Sequence, residues 1–241
     1  SHNPNDYWHP APYYWPHPLR IPGLPYVMRD GERVPGTRLY EAESDHYDRT
    51  RLQRLFDDTW SLSLAYNQAR DHRFGEHAAQ LVRHWFLNTE TMMNPHLQYA
   101  QVRRGHNKNR GSNSGLIEFK DMYYFLDGVR LLLLGDALTE RDKLGLENWL
   151  GEYLQWLRCS EQGIAERATT NNHGTYYDLQ VASIAAFLGE WKLLRETLRD
   201  SRSRIVAQFA PDGSLPEELR RTTSAHYECF TIQGWIHLAR L

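Results

Sequence analysis

Two short stretches of this 241-residue chain hold side chains that could move protons. One is Thr169-Thr170-Asn171-Asn172-His173-Gly174-Thr175-Tyr176-Tyr177; the other is Arg220-Arg221-Thr222-Thr223-Ser224-Ala225-His226-Tyr227. An amide beside an imidazole, with arginines and a phenol brought from afar, suits proton abstraction next to a carboxylate. A proton on the carbon alpha to a carboxylate is barely acidic until the carboxylate's charge is offset. An amide or guanidinium can hold that group, a His can take the proton, and a Tyr can protonate a departing oxygen. On spacing alone, Asn171 or Asn172 reads equally as the N-cap of a following helix, with His173 an ordinary first-turn residue. A helix starting there would also point its positive end at a developing enediolate.

The elements that must position these residues read as helices. Pro10, Pro12, Pro16, Pro18, Pro22 and Pro25 preclude a regular helix near the N-terminus. The density of Tyr and Trp among them predicts an extended arm packed on the domain, not a free tail. We place this arm at residues 1–47. From about residue 48, Leu52, Leu55, Phe56 and Trp60 recur at helical spacing, and Ala78, Leu81, Val82, Trp85 and Phe86 form a second stripe. Arg70-Asp71-His72-Arg73 between them reads as the turn of an antiparallel hairpin. A second hairpin is expected over about 116–158, where Leu146, Trp149, Leu150, Tyr153, Leu154 and Leu157 make the cleanest stripe. A third runs over 173–189 and 190–208, hinged near Gly189, and a last helix starts near Ser224. Strand-like alternation is nowhere convincing. The irregular stretch 88–115 is too long for a plain connector and reads as a cleft wall, open to motion.

Successive hairpins of this size predict an all-α fold of the solenoid or toroid kind over 48–241. The chain stops at Leu241 inside the apolar segment 232–241 without a closing cap, which reads as a fragment of a longer protein. Composition excludes several classes. Charged residues at 24% and a net charge of −2 give no electrostatic case for nucleic acid or an anionic membrane, and no apolar run approaches a membrane span. An anionic partner would need local clusters such as Arg103, Arg104, Lys108 and Arg110. Despite 12 histidines there is no metal-binding helix motif or paired-Cys motif, and neither a metal nor a cofactor is expected. Cys159 and Cys229 lack metal-site spacing, and their pairing is open. The chain opens at Ser1 without Met and shows no signal peptide, which reads as a mature or trimmed product.

The chain resembles the alginate lyase superfamily of uronate-polysaccharide lyases. The residues carrying the resemblance begin with Pro25-Tyr26-Val27-Met28-Arg29-Asp30-Gly31-Glu32. Trp85-Phe86-Leu87 follows, with Met93-Asn94-Pro95-His96-Leu97-Gln98-Tyr99-Ala100-Gln101. Then come Asn171-Asn172-His173-Gly174-Thr175, Ala210-Pro211-Asp212-Gly213-Ser214 and His226-Tyr227. Each piece is weak alone; five in order are specific.

The resemblance implies an (α/α) toroid or incomplete α/α barrel and β-elimination on an acidic polysaccharide, alginate first. It also implies a periplasmic or secreted location. Carried over by motif, Asn172 holds the substrate carboxylate, His173 is the base and Tyr227 is the general acid. An Arg six or seven residues before Tyr227 assists; the doubled arginine leaves Arg221, preferred, and Arg220. Tyr99 and Gln101 match a substrate-facing element, with Asn171, Arg104 and His226 as further contacts. Family members continue after Gln101 with Pro-Gly and a Gly-rich run; Val102-Arg103-Arg104 here departs from that and leaves substrate preference open. Tyr13, Tyr14 and Trp15 read either as one side of the cleft or as packing. Two rival readings remain: a glycoside hydrolase, drawing carboxylates from Asp121, Glu118 and Asp178, and a non-catalytic acidic-polysaccharide-binding protein.

Overall fold

The computed structural model describes residues 3–241. Helices dominate. Helix α1 (Asp48–Ala69) ends where Arg70 turns left-handed (φ 56°), and α2 (His72–Phe86) starts at once, with Asp71 capping the backbone N–H of Arg73. The two pack as the expected hairpin. Next come α3 (Met122–Leu134) and α4 (Glu140–Cys159). A Thr139/Asp142 capping box starts α4.

These two helices depart from the sequence expectation. Helix α3 packs on α1, and α4 lies against α2. The apolar stripe of each is satisfied by another helix, so the 116–158 hairpin is not a self-contained pair. Its first residues are also 3₁₀ rather than α, over Asn113–Phe119.

A short helix that periodicity missed, α5 (Glu161–Arg167), starts at Ser160, whose side chain caps Gly163 N–H. Then come α6 (Asn172–Leu188), α7 (Trp191–Gln208), α8 (Pro216–Leu219) and α9 (Ser224–Leu238). Gly189 at φ 72° closes α6, and α7 folds back on it at the expected hinge. Helix α6 is buried on nearly every side, touching α3, α4, α5, α7 and α9. Its Leu179, Val181, Ala182, Ile184 and Ala185 explain this: a helix apolar all round belongs inside. The small Ala side chains let its neighbours approach, so the N-terminus of the most buried helix is held from several directions.

The N-terminal residues are irregular but anchored. They contain β1 (Trp8–Pro10), β2 (Tyr14–Trp15) and β3 (Val27–Met28), and β4 (Tyr99–Val102) lies in the 88–115 stretch. Strands β1 and β4 pair in parallel, β2 and β3 antiparallel. Such two- to four-residue strands are too short to show alternation, so no periodicity marks them. Tyr7 is buried with its hydroxyl on Glu118, and Trp8 N–H donates to Asp48 at 2.8 Å. The 88–115 stretch is likewise tied down rather than loose. Gly111 N–H donates to the Gln98 carbonyl at 2.9 Å, and Trp149 Nε1 to the Met93 carbonyl at 2.6 Å. No helix among the described residues is long and apolar enough to cross a membrane.

Candidate active site

Residues Asn171–His173 sit at the start of α6, where backbone N–H groups lack helical partners. Asn171 is the N-cap, its side-chain oxygen accepting from His173 N–H at 3.2 Å. Asn171 therefore takes the cap, which leaves the side chains of Asn172 and His173 for other partners. Asn172 N–H donates to Glu218 Oε1 at 2.8 Å, and Asn172 Nδ2 lies 2.9 and 3.0 Å from the two oxygens of Glu218. Those near-equal distances fit one amide hydrogen shared between both oxygens. The second amide hydrogen is then directed elsewhere, and Asn172 Oδ1 is buried without a partner. Both residues are enclosed, Asn172 at 1% and Glu218 at 2% exposure.

His173 is held by a second buried acid. Its Nδ1 lies 2.6 Å from Glu166 Oε1 on α5, and Glu166 is 1% exposed. Asn113 Nδ2 fixes the other Glu166 oxygen at 2.9 Å. A carboxylate on Nδ1 makes that nitrogen the donor and leaves Nε2 as the nitrogen able to accept a proton. The turn before α6 is clamped by Arg204, whose guanidinium donates to the carbonyls of Thr169 (2.5 Å) and Arg167 (3.0 Å) and pairs with Asp178 (2.8 Å). Gly174 packs against this clamp. A Cβ there would collide with the Arg204 guanidinium and the Thr169 carbonyl, so only glycine fits.

The second cluster joins α9 to the N-terminal arm. Arg221 Nη2 donates to Tyr227 Oη at 2.8 Å, and its guanidinium carbon stands 3.8 Å from that ring's centroid. Arg221 also grips Asp30, at 2.7 Å to Oδ1 and 3.2 Å to Oδ2. Tyr13 brings its hydroxyl to 3.1 Å from that of Tyr227. Of the two candidate arginines, Arg221 touches Tyr227, whereas Arg220 pairs with Glu217 on the surface. Burial pushes the Tyr227 phenol well above the usual tyrosine range, and the Tyr13 contact adds to this while Arg221 opposes it.

The two clusters are coupled through Glu218. Thr231 on α9 donates to Glu218 at 3.2 Å and to the Tyr227 carbonyl at 2.8 Å, so one carboxylate links the Asn172 end of α6 to the turn bearing Tyr227.

The Arg221 guanidinium holds the Asp30 carboxyl below its ordinary range, against the opposing effect of burial. A carboxyl depressed in the folded state stabilises the fold above its unfolded pKa of about 3.9, and loses that contribution as pH falls through the folded value. The Tm gap between wild type and Asp30→Asn should therefore be widest near neutral pH and shrink below about pH 4. Thermal unfolding at both pH values checks it; a gap independent of pH would show that the ion pair does not stabilise the arm.

The remaining expected contacts are placed variously. Gln101 (φ 52°) accepts from Ser114 Oγ at 3.2 Å, and Ser114 adjoins Asn113, which holds Glu166. Gln101 thus borders the His173 side. Tyr99 is half-buried on β4, edge-on to His96. His226 is exposed, stacked on Phe230 and edge-on to Tyr227. Arg104 is not in either cluster; it lies over the Tyr26 ring, beside a separate cavity. Cys159 and Cys229 are free and exposed. No three His, Cys, Asp or Glu residues among those described are grouped as a metal site needs. Glu166 and Glu218 were missed in sequence, because an acid in a polar, turn-rich segment carries no mark of burial. So was Tyr13 as a partner of Tyr227.

Comparison with known proteins gives the family and a similar fold. The family model described as alginate lyase matches residues 1–241. No curated protein matches the chain. Among solved structures, the crystal structure of an alginate lyase from Bacteroides ovatus superposes with a TM-score of 0.90 at 33% identity. That match covers 97% of this chain and 60% of the other, so the chain spans about three fifths of the length of that relative.

Proposed function

The chain belongs to the alginate lyase family, and from that premise we propose that it is a polysaccharide lyase cleaving a uronate polymer, alginate first, by β-elimination. The observation that carries this reading is an oriented imidazole, His173 on Glu166, and a half-buried, Arg-supported phenol, Tyr227, on segments tied together by Glu218, which binds Asn172 beside His173 and Thr231 one helical turn after Tyr227. In this reading Arg221 and the second amide hydrogen of Asn172 offset the substrate carboxylate, with Asn171, Arg220, Tyr99, Gln101 and His226 as outlying contacts. His173 Nε2 takes the C5 proton, the electron pair forms the C4–C5 double bond, and the C4–O4 bond breaks. Tyr227 gives its proton to O4, and Arg221 stabilises the phenolate left behind. The positive end of α6 faces the developing enediolate charge. The chemistry uses protein groups alone.

The same reading takes 48–241 as part of an (α/α) toroid with residues 1–47 as an arm completing the site, and a periplasmic or secreted location. No observation favours a hydrolase. Glu118, Asp121 and Asp178 are each buried in pairs of their own, with Tyr7, Lys120 and Arg204 respectively. The test offers alginate, polyglucuronate and hyaluronan separately and follows the ultraviolet absorbance of a new C4–C5 double bond. A rise on alginate is expected. New reducing ends without that absorbance would mean hydrolysis, and neither signal would leave only binding.

A further inference from the structure

The N-terminal arm encloses a cavity of about 1000 Å³ that the catalytic reading does not use. Three arginines line it, Arg20, Arg29 and Arg104, with the rings of Tyr14, Trp15 and Tyr26, and no Asp or Glu is among its lining residues. In a chain whose net charge is −2, that is a local concentration of positive charge. Two of the arginines stand within cation–π distance of aromatic rings. Arg29 stands 5.6 Å from the Trp15 centroid and Arg104 5.8 Å from that of Tyr26. A cation–π contact of this kind leaves the guanidinium N–H groups able to bind a carboxylate. The carboxylate paired with Arg29, Glu32, is 3.4 Å away and both side chains are exposed, a weak competitor.

The walls are braced. Strands β2 and β3 pair Tyr14 with Met28 and Trp15 with Val27. Tyr26 N–H donates to the Arg104 carbonyl at 3.0 Å, and His106 Nε2 meets the Tyr26 carbonyl at 2.6 Å. Gly105 (φ 79°) lets the two segments touch, since a Cβ there would stand 2.6 Å from Pro25 Cα.

The segments that wall the cavity also carry residues of the catalytic cluster. Tyr14 follows Tyr13, whose hydroxyl reaches Tyr227, and Arg29 precedes Asp30, which grips Arg221. At two places neighbouring residues of one segment, their Cα atoms about 3.8 Å apart, belong one to the cavity wall and the other to that cluster.

We propose that this cavity is a remote subsite that binds uronate units of the same polymer, several residues from the bond being cleaved. The inference rests on the substrate class proposed above. Arginines take the carboxylates and the rings take the sugar faces, so long chains gain affinity that short ones cannot reach.

The test has two arms. In affinity electrophoresis, the full chain should be retarded by alginate and not by neutral amylose, and Arg20→Glu with Arg104→Glu should weaken that retardation about fivefold or more. In kinetics, Arg20→Glu should raise KM for the polymer about fivefold, with kcat within about twofold and KM for a trimer unchanged. Equal retardation of variant and wild type, or no retardation of either, would overturn the subsite. So would a KM shift shared by trimer and polymer. Arg-dependent retardation without any double-bond formation would retain the subsite and discard the lyase reading.

Discussion

Tyr227→Phe should lower kcat on alginate by roughly 100- to 10,000-fold, the span that a positioned acid contributes, with KM little changed. The substitution removes one oxygen. The ring stays under the Arg221 guanidinium, and Arg221 keeps both contacts to Asp30. What is lost is the proton for O4 and two hydrogen bonds, with Tyr13 and from Arg221, each worth about 1 kcal/mol of stability. Burial holds the phenol protonated, so in wild type its own ionisation should not limit the rate until above about pH 10. His173→Ala, at the other end of the proton path, should give a loss of similar size. Folding is monitored by circular dichroism and turnover by the double-bond absorbance. Full activity in either variant would remove that residue from the reaction. Loss in Tyr227→Phe matched by a collapse in Tm would reassign it to structure.

Much of this arrangement was legible in the sequence because it is local. The N-cap at Asn171, the hinge at Gly189 and the α1–α2 turn at Arg70–Asp71 each announce themselves within a few residues. The strongest stripe, on α4, marked a helix correctly but not its partner. A stripe says which face is apolar and nothing about what covers it. Hence periodicity pairs α3 with α4, whereas each packs elsewhere.

The partners of the chemical groups were illegible for a related reason. Glu-Gln-Gly-Ile-Ala-Glu-Arg over 161–167 reads as a solvated turn, and only the packing of α5 against α6 puts Glu166 out of water. Glu218 follows Pro216 and Glu217 in a segment equally polar, yet it is enclosed while Glu217 meets Arg220 at the surface. Tyr13 and Tyr227 are 214 residues apart, and no spacing rule reaches that far. An acid is buried where several donors converge on it, and convergence is a property of the fold.

Glu166→Gln is the sharper test of that convergence, because it keeps volume and removes only the charge. Asn113 Nδ2 donates to one Glu166 oxygen and His173 Nδ1 faces the other. A glutamine has one acceptor to offer. If its oxygen stays with Asn113, its NH₂ faces His173 Nδ1, which must then accept. The ring proton moves to Nε2, the nitrogen that should take the C5 proton, and the base is lost. We expect kcat to fall roughly 100- to 10,000-fold with KM near wild type, as when a His-orienting carboxylate becomes an amide in a serine-protease triad. Nitrogen NMR of the His173 ring distinguishes this from loosened packing: wild type should carry its proton on Nδ1, the variant on Nε2. An unchanged tautomer with unchanged kcat would show that Glu166 merely fills space. An unchanged tautomer with reduced kcat would show that the carboxylate acts by charge, stabilising the imidazolium that forms as the C5 proton arrives.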